Sequence, residues 1–427
     1  MPVSFLPNQT AAPQNWAIFC AAIDNFGDIG VCWRLASQLH REYGARVHLW
    51  VDDWNALQFF LGSAALAGYS RVEHEGVSLH HWSRTQDIDA SSLAVFEQVE
   101  VVLEAFACAV PDCVLQCMAN RSPPPRWFNL EYLSAEDWAR DCHLLASPQS
   151  VEVERGTLRL LHKQFFFPGF GDGTGGLIRE SGLLDRHAGW QADLAGTRQQ
   201  MLCSLGLPPG WLDTEELLLL SLFTYEGRAT RSLLGALEEG GAPALCLVPC
   251  GRSLKDVAAH LGLQTLPAPG EVFERGALRL LVLPFLSQGE YDCLLSLCDC
   301  NFVRGEDSFV RAQYAGHPLV WQLYPQEDNA HLVKMEAFLR LYCGQSAADK
   351  ALATFWRHWN LDEDCRELWH YLRPQLPTLQ RQARNWQQKL ASWPDLAASL
   401  VQACREPIAP SPTDGEPYGL AETPKLK

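Results

Sequence analysis

What the 427-residue sequence lacks narrows it first. It is short of positive charge: 34 Lys and Arg stand against 50 Asp and Glu, a formal net charge of −16. A general nucleic-acid binder would carry the opposite balance, because a basic surface supplies its affinity for a phosphate backbone. A protein partner with a basic patch remains compatible with the acidic field. No CxxC pair occurs among the 15 cysteines. The nearest approaches, Cys113 to Cys117 and Cys298 to Cys300, have no second pair at zinc-ligand spacing, so no metal is expected. Cysteines scattered through apolar runs (Cys20, Cys108, Cys246, Cys298) suit buried thiols in a reducing compartment, which points to the cytoplasm. The first Lys or Arg is Arg34, so a positively charged signal-peptide start is missing. No apolar run reaches membrane-spanning length, and no membrane partner is expected. Also absent are G-x-S-x-G, H-E-x-x-H and Walker loops, and any repeat of solenoid period.

What is present reads as α/β. The length exceeds what one hydrophobic core usually supports, which predicts two domains. Residues 16 to 23, WAIFCAAI, form an apolar run of the kind that fills a parallel strand. Val31, Leu35 and Leu39 then repeat at helical spacing, Gly44 follows as a stop, and RVHLWVDD reads as the next strand. Strand, turn, helix and strand make a βαβ unit with a right-handed crossover. The same grammar returns in EELLLLSLFTYEG, PALCLVPCG, LRLLVLPFLSQ, LCDCNFVRG and HPLVWQLYP. Between the halves, FFFPGFGDGTGGL (165–177) reads as loop. The expected division is a Rossmann-like domain over 1–195, a second over 196–385, a terminal helix over 386–405 that can pack back on the first domain, and a disordered tail over 406–427.

Two junctions carry the chemistry. The first, Asp24-Asn25-Phe26-Gly27-Asp28-Ile29-Gly30, stands where a dinucleotide fold would show G-x-G-x-x-G. Only Gly27 and Gly30 are in place, and Asp24 and Asp28 would repel a diphosphate, so a plain dinucleotide site is disfavoured. The residues alone also allow Asp28 to cap the helix and Asp24 to make a turn. The second, NFVRGEDSFVRAQYAGHPLVW (301–321), ends a strand near Val303 and begins a helix near Asp307 or Ser308. Arg304, the amides around Gly305 and the Ser308 hydroxyl are anion-binding chemistry at the carboxyl edge of a parallel sheet. Glu306 is odd among such donors and suggests a second task; the alternative is an ordinary capped helix with Arg304 paired to Glu306.

Phe223, Tyr225, Phe285 and Gln288 stand at strand ends, where aromatics and an amide could stack on a base and bond its edge, although aromatics more often fill cores. Asp87-Ile-Asp89 has the form of a metal-held sugar-diphosphate motif in what reads as a surface loop. Glu131 and Tyr132 follow a strand toward a cleft between domains, and Tyr324 could close a nucleotide pocket, or Asp328 cap a helix.

Taken together, DNFGDIGVCWRLA, EAFAC, NLEYLSAEDW, FFFPGF, TGGL, LPFL, NFVRGEDSFVRAQ and YPQED resemble the protein-arginine rhamnosyltransferases that modify bacterial translation elongation factor P, over roughly residues 16 to 405. The resemblance implies the GT-B architecture, two facing Rossmann-like domains with parallel sheets and C-terminal helices. It implies a metal-independent, inverting transfer of L-rhamnose from dTDP-β-L-rhamnose to an arginine of the factor, activating it for relief of ribosome stalling at polyproline. No cofactor is implied beyond the donor. Carried over by motif, the family's essential aspartate falls on Asp24, with Asp28 as its neighbour, and its essential glutamate on Glu306. Substrate-binding residues fall on Asn25, Phe26, Gly27, Phe223, Tyr225, Phe285, Gln288, Arg304, Gly305, Asp307, Ser308 and Tyr324. The rivals are an NAD-linked oxidoreductase on the same βαβ grammar and a non-catalytic binder of nucleotide sugar or elongation factor.

Overall fold

The computed structural model describes residues 12–22, 26–62, 69–83, 85 and 88–406, and of Phe26 and Glu327 the backbone only. Asp24, Asn25, Asp87 and the tail beyond Glu406 therefore lie outside the described residues.

The first half runs β1 (Asn15–Cys20), α1 (Phe26–Tyr43), β2 (Arg46–Val51), α2 (Trp54–Leu61), β3 (Arg71–His74), β4 (Val77–His81), α3 (Ala90–Leu93), β5 (Val101–Ala105), α4 (Asp112–Asn120), β6 (Arg126–Leu130), α5 (Asp137–Asp141), β7 (Ala146–Glu154) and β8 (Thr157–Phe166). Its eight strands form one sheet in the order β3-β4-β2-β1-β5-β6-β8-β7. Strands from β4 to β8 run parallel, and the edge strands β3 and β7 are antiparallel. Trp16 to Cys20 are sealed on both faces, as an apolar run with no alternation requires when helices cover both sides of a sheet.

The second half runs α6 (Leu183–Ala192), α7 (Leu194–Ser204), β9 (Leu218–Leu222), α8 (Arg228–Glu239), β10 (Ala244–Pro249), α9 (Leu254–Leu261), β11 (Val272–Arg275), β12 (Leu278–Leu283), α10 (Gln288–Leu297), β13 (Cys300–Arg304), α11 (Glu306–Ala315) and β14 (Leu319–Gln322). These six strands order as β11-β12-β10-β9-β13-β14, parallel except at β11. Two doubly wound sheets make the GT-B arrangement. Two details depart from the sequence reading: Phe165 and Phe166 belong to β8 rather than to a loop, and α11 begins at Glu306, where Gly305 takes φ 68° to turn the chain.

In each sheet the winding reverses once, between β1 and β5 and between β9 and β13. Loops leaving the carboxyl ends there diverge and open a crevice. The segments that follow these strands are therefore the ones a ligand can reach.

The chain closes with α12 (Ala330–Tyr342), α13 (Ala347–Asn360), α14 (Arg366–Leu372), α15 (Leu376–Ala391) and α16 (Leu396–Arg405). The tryptophan-rich helices wrap the second core, where Trp356, Trp359 and Trp369 are buried with Phe302 and Phe309. Then the chain crosses back. Leu396, Ala397, Leu400 and Val401 pack into the first core beside Ile18, Leu35 and Leu39, and the Leu396 amide donates to the Leu177 carbonyl at 2.9 Å. Fully burying such a leucine contributes about 1.5–3 kcal/mol. None of the described helices is long and apolar enough to cross a membrane.

A buried ionic lattice joins the two domains. Arg34 of α1 donates to Asp307 at 2.8 Å, to Asp292 at 3.0 Å and to Glu180 at 3.2 Å. Arg311 of α11 reaches the same Asp292 and Glu180, both at 2.6 Å. Around it the surfaces fit closely: Gln288 Nε2 donates to the Gly30 carbonyl at 3.1 Å, and a Cβ on Gly30 would lie 3.4 Å from that nitrogen.

Burial alone would raise the Glu180 carboxyl, but Arg311 and Arg34 outweigh it and hold the group down at about 2, from 4.5. A depressed carboxylate adds stability that is present above its unfolded value and lost as pH falls through the folded one. Glu180→Gln should therefore flatten the acid limb of unfolding between pH 4.5 and about 2. Denaturant titrations across that range would measure it; a parallel acid limb in both proteins would show that Glu180 does not carry it.

Candidate active site

The residues at the two reversals can be built up in turn. Asp28 lies in the first turn of α1 and is 4% exposed. Beyond β6, Glu131, Tyr132 and Leu133 follow the strand end. The Tyr132 phenol donates to Asp28, and its ring stacks on Phe106 at 4.4 Å and 15°. Phe106 stands just after β5 in a run of left-handed residues: φ is 56° at Phe106, 53° at Ala107 and 61° at Ala109. Each costs of order 1–3 kcal/mol and persists only where its surroundings impose it. Here they do, since Asn129 accepts from the Ala107 amide at 3.2 Å and Glu104 from the Ala109 amide at 3.3 Å, while Lys163 pairs with Glu104 at 3.2 Å.

This wall is acidic. Burial first, then the charges of Asp28 and Glu306, raise the Tyr132 phenol. Burial is also the main cause of the raised Glu131 carboxyl, with Glu104 and Glu306 adding to it against Lys163 and Asn129. Glu306 comes from the other domain, so carboxylates of both domains converge on Tyr132.

The opposite wall is cationic and aromatic. Arg304, at the end of β13, lies over the Phe223 ring at 4.6 Å and the Tyr225 ring at 4.9 Å. Tyr225 is buried, its amide donates to Gln322 at 2.8 Å, and the exposed Tyr324 meets it edge-on at 5.5 Å. Below Arg304 the first turn of α11 presents its amides, with Ser308 beside Tyr291. A guanidinium above a helix N-terminus, flanked by aromatic rings, suits a phosphate joined to a flat base.

Other residues of the family motif have different company. Asp307 is bonded to Arg34, and Gln288 to Gly30 of the first domain. Phe285 packs against Phe59 at 4.9 Å and Phe60 at 6.4 Å. These three stand on the interdomain contact, next to the crevice. Gly27 is the second residue of α1, while Asp24 and Asn25, together with the Phe26 side chain, lie outside the described residues.

Glu306 does not pair with Arg304 in the manner of an ordinary capped helix. Its Oε1 takes Lys334 Nζ at 2.8 Å and its Oε2 takes the Leu133 amide of the first domain at 2.9 Å. Sequence reasoning missed Lys334, which no motif marks. It also passed over Phe106, although its place after a strand in EAFAC was a usable signal. Asp89 accepts from the amides of Ser91 and Ser92 at 3.0 and 3.1 Å as the N-cap of α3.

Residues 16–405 match the family described as Elongation-Factor P (EF-P) rhamnosyltransferase EarP. The chain is 46% identical over 397 residues to a protein-arginine rhamnosyltransferase of Pseudomonas putida, covering 92% of this chain and 99% of that one. It is 45% identical over 390 residues to the protein of that name from Pseudomonas aeruginosa, covering 91% and 98%. A solved structure described as the structural basis for EarP-mediated arginine glycosylation of translation elongation factor EF-P is 35% identical, with a TM-score of 0.61, over 92% of this chain and 98% of that one.

Tyr132→Phe keeps the stack on Phe106 and removes the phenol that donates to a nearly buried carboxylate. A loss of about 1.5–3 kcal/mol is expected, because a hydrogen bond to a charged group is being broken. Denaturant unfolding would measure it, and a variant as stable as the parent would show that the bond does not form in solution.

Proposed function

The chain belongs to the EF-P rhamnosyltransferase EarP family and is a protein-arginine rhamnosyltransferase; from that premise we propose that it moves L-rhamnose from dTDP-β-L-rhamnose to an arginine side chain of elongation factor P, inverting the anomeric carbon without a metal or other cofactor. The factor so modified would relieve ribosome stalling at polyproline, and the reaction would belong to the cytoplasm.

The observation that carries this reading is the pairing of opposite chemistries at the two sheet reversals, acid around Tyr132 and Asp28, cation and helix amides at Arg304. A guanidinium stays protonated at ordinary pH and is a poor nucleophile, so it must be oriented and must lose a proton as the new bond forms. In the proposed step a guanidinium nitrogen attacks the anomeric carbon. The carbon–oxygen bond to the β-phosphate breaks with its electron pair leaving on dTDP, and the nitrogen's proton passes to Asp24. Asp28, held by Tyr132, fixes the loop or the guanidinium. Arg304, Ser308 and the first amides of α11 meet the charge that develops on the diphosphate. Phe223 and Tyr225, with Tyr324 at the rim, flank the thymine, and Asn25, Phe26 and Gly27 serve the sugar side.

Incubation of elongation factor P with the enzyme and dTDP-rhamnose should add the mass of one deoxyhexose to one arginine; a factor of unchanged mass would refute the reading. Asp24→Asn should abolish most turnover yet bind donor nearly as well as the parent, and normal turnover in that variant would dismiss Asp24 as the base. Arg304→Ala should weaken dTDP binding roughly ten- to a hundredfold in calorimetry, the equivalent of one charge-assisted contact. Unaltered affinity would remove Arg304 from the phosphate site.

A further inference from the structure

Besides Lys163 on Glu104, a second cation stands among the carboxylates of the acidic wall without a part in the proposed transfer. Lys334 projects from α12 of the second domain, 23% exposed, and bonds Glu306 Oε1 at 2.8 Å. A partly exposed ion pair of this kind ordinarily adds little to stability. Its surroundings argue for more. The other oxygen of the same carboxylate receives the Leu133 amide across the cleft at 2.9 Å. The Lys334 ammonium lies 6.0 Å from the Tyr132 ring of the first domain and 5.8 Å from the Trp321 ring of the second. Trp321 in turn donates to the Gly305 carbonyl at 3.1 Å and stacks on Phe309 at 3.8 Å, supporting the turn that starts α11.

The charge balance points the same way. Glu306 shares its neighbourhood with Glu131 and, through Tyr132, with Asp28, and like charges so placed repel. Without a cation beside it, Glu306 would be driven from the Leu133 amide toward solvent. With Lys334 on one oxygen, the other is turned into a fixed acceptor for the first domain. The linkage then runs from Lys334 to Glu306, to the Leu133 amide, to the adjacent Tyr132 and so to Asp28.

We propose that Lys334 is a positioning residue for the transfer, acting through Glu306 to hold the Tyr132–Leu133 segment of the first domain against the start of α11 in the second. The inference rests on the reading of the site as a rhamnosyltransferase centre, and it gives Glu306 a defined task, that of a two-sided clamp between the domains.

In Lys334→Met, kcat should fall roughly ten- to a hundredfold, the effect of a small displacement of oriented groups, with the donor KM little changed. Lys334→Arg should restore most of the rate, since a guanidinium can still meet Glu306. In a Glu306→Gln background the Lys334→Met change should cost little more. Hydrogen exchange at the Leu133 amide should quicken in Lys334→Met and in Glu306→Gln while β1 and β9 stay protected, and this readout is independent of turnover. Full losses that multiply in the double variant would place Lys334 on a substrate instead and overturn the proposal. So would unchanged exchange at Leu133, or a Lys334→Met enzyme with normal kcat. A parent enzyme that transfers no rhamnose would refute the functional reading, and the exchange experiment would still judge the clamp.

Discussion

The relative placement of the two domains depends on two guanidiniums and three carboxylates, with Arg34, Arg311 and Asp292 buried and Glu180 and Asp307 partly buried around them. Desolvating such groups is expensive, and their mutual attraction repays the cost only when geometry is good and every partner is in place. Apolar surfaces of equal area would tolerate sliding. The forked contacts of the two arginines do not, because every guanidinium nitrogen donates to a defined carboxylate oxygen. The lattice also explains why α1 is buried nearly all round: one face covers the first sheet, and the other meets the second domain.

With that contact fixed, the carboxyl ends of both sheets share one crevice and complement each other there. Arg304 and the helix amides make one side positive, while Asp28, Glu131 and Glu306 make the other acidic. Asp307 lies at the boundary. Burial raises its carboxyl against the pull of Arg34 and Arg311, so the group next to Glu306 in the chain senses the domain contact directly. A change in domain approach would reach both walls through the first turn of α11.

Much of this was written into the chain locally. An apolar run, a glycine-bearing turn and a helical repeat announce a strand-to-helix junction, and the NFVRGEDSF stretch places Arg304 and Ser308 at one with no further information. Asp28 could be read the same way. What the sequence hides is company. Arg34 meets Asp292 and Asp307 over separations of 258 and 273 residues, so no spacing rule links them, and the bonds that Asp307 and Gln288 make to the other domain have no mark in the sequence. Lys334 is hidden for the same reason: a lysine on an amphipathic helix is normally a solvated one, and its partner lies 28 residues earlier, on another helix. The strain at Phe106, Ala107 and Ala109 has no sequence mark, because alanine and phenylalanine do not advertise a left-handed backbone.

The return of α16 to the first domain also bears on the order in which the molecule is made. A ribosome releases Ile18, Leu35 and Leu39 early, yet the side chains that cover them, Leu396, Leu400 and Val401, emerge only after the second domain. The amino-terminal half, first to be synthesised, must therefore wait with an open hydrophobic face while the second domain forms behind it. Closing the first core is thus a late event, the docking of the ten residues of α16.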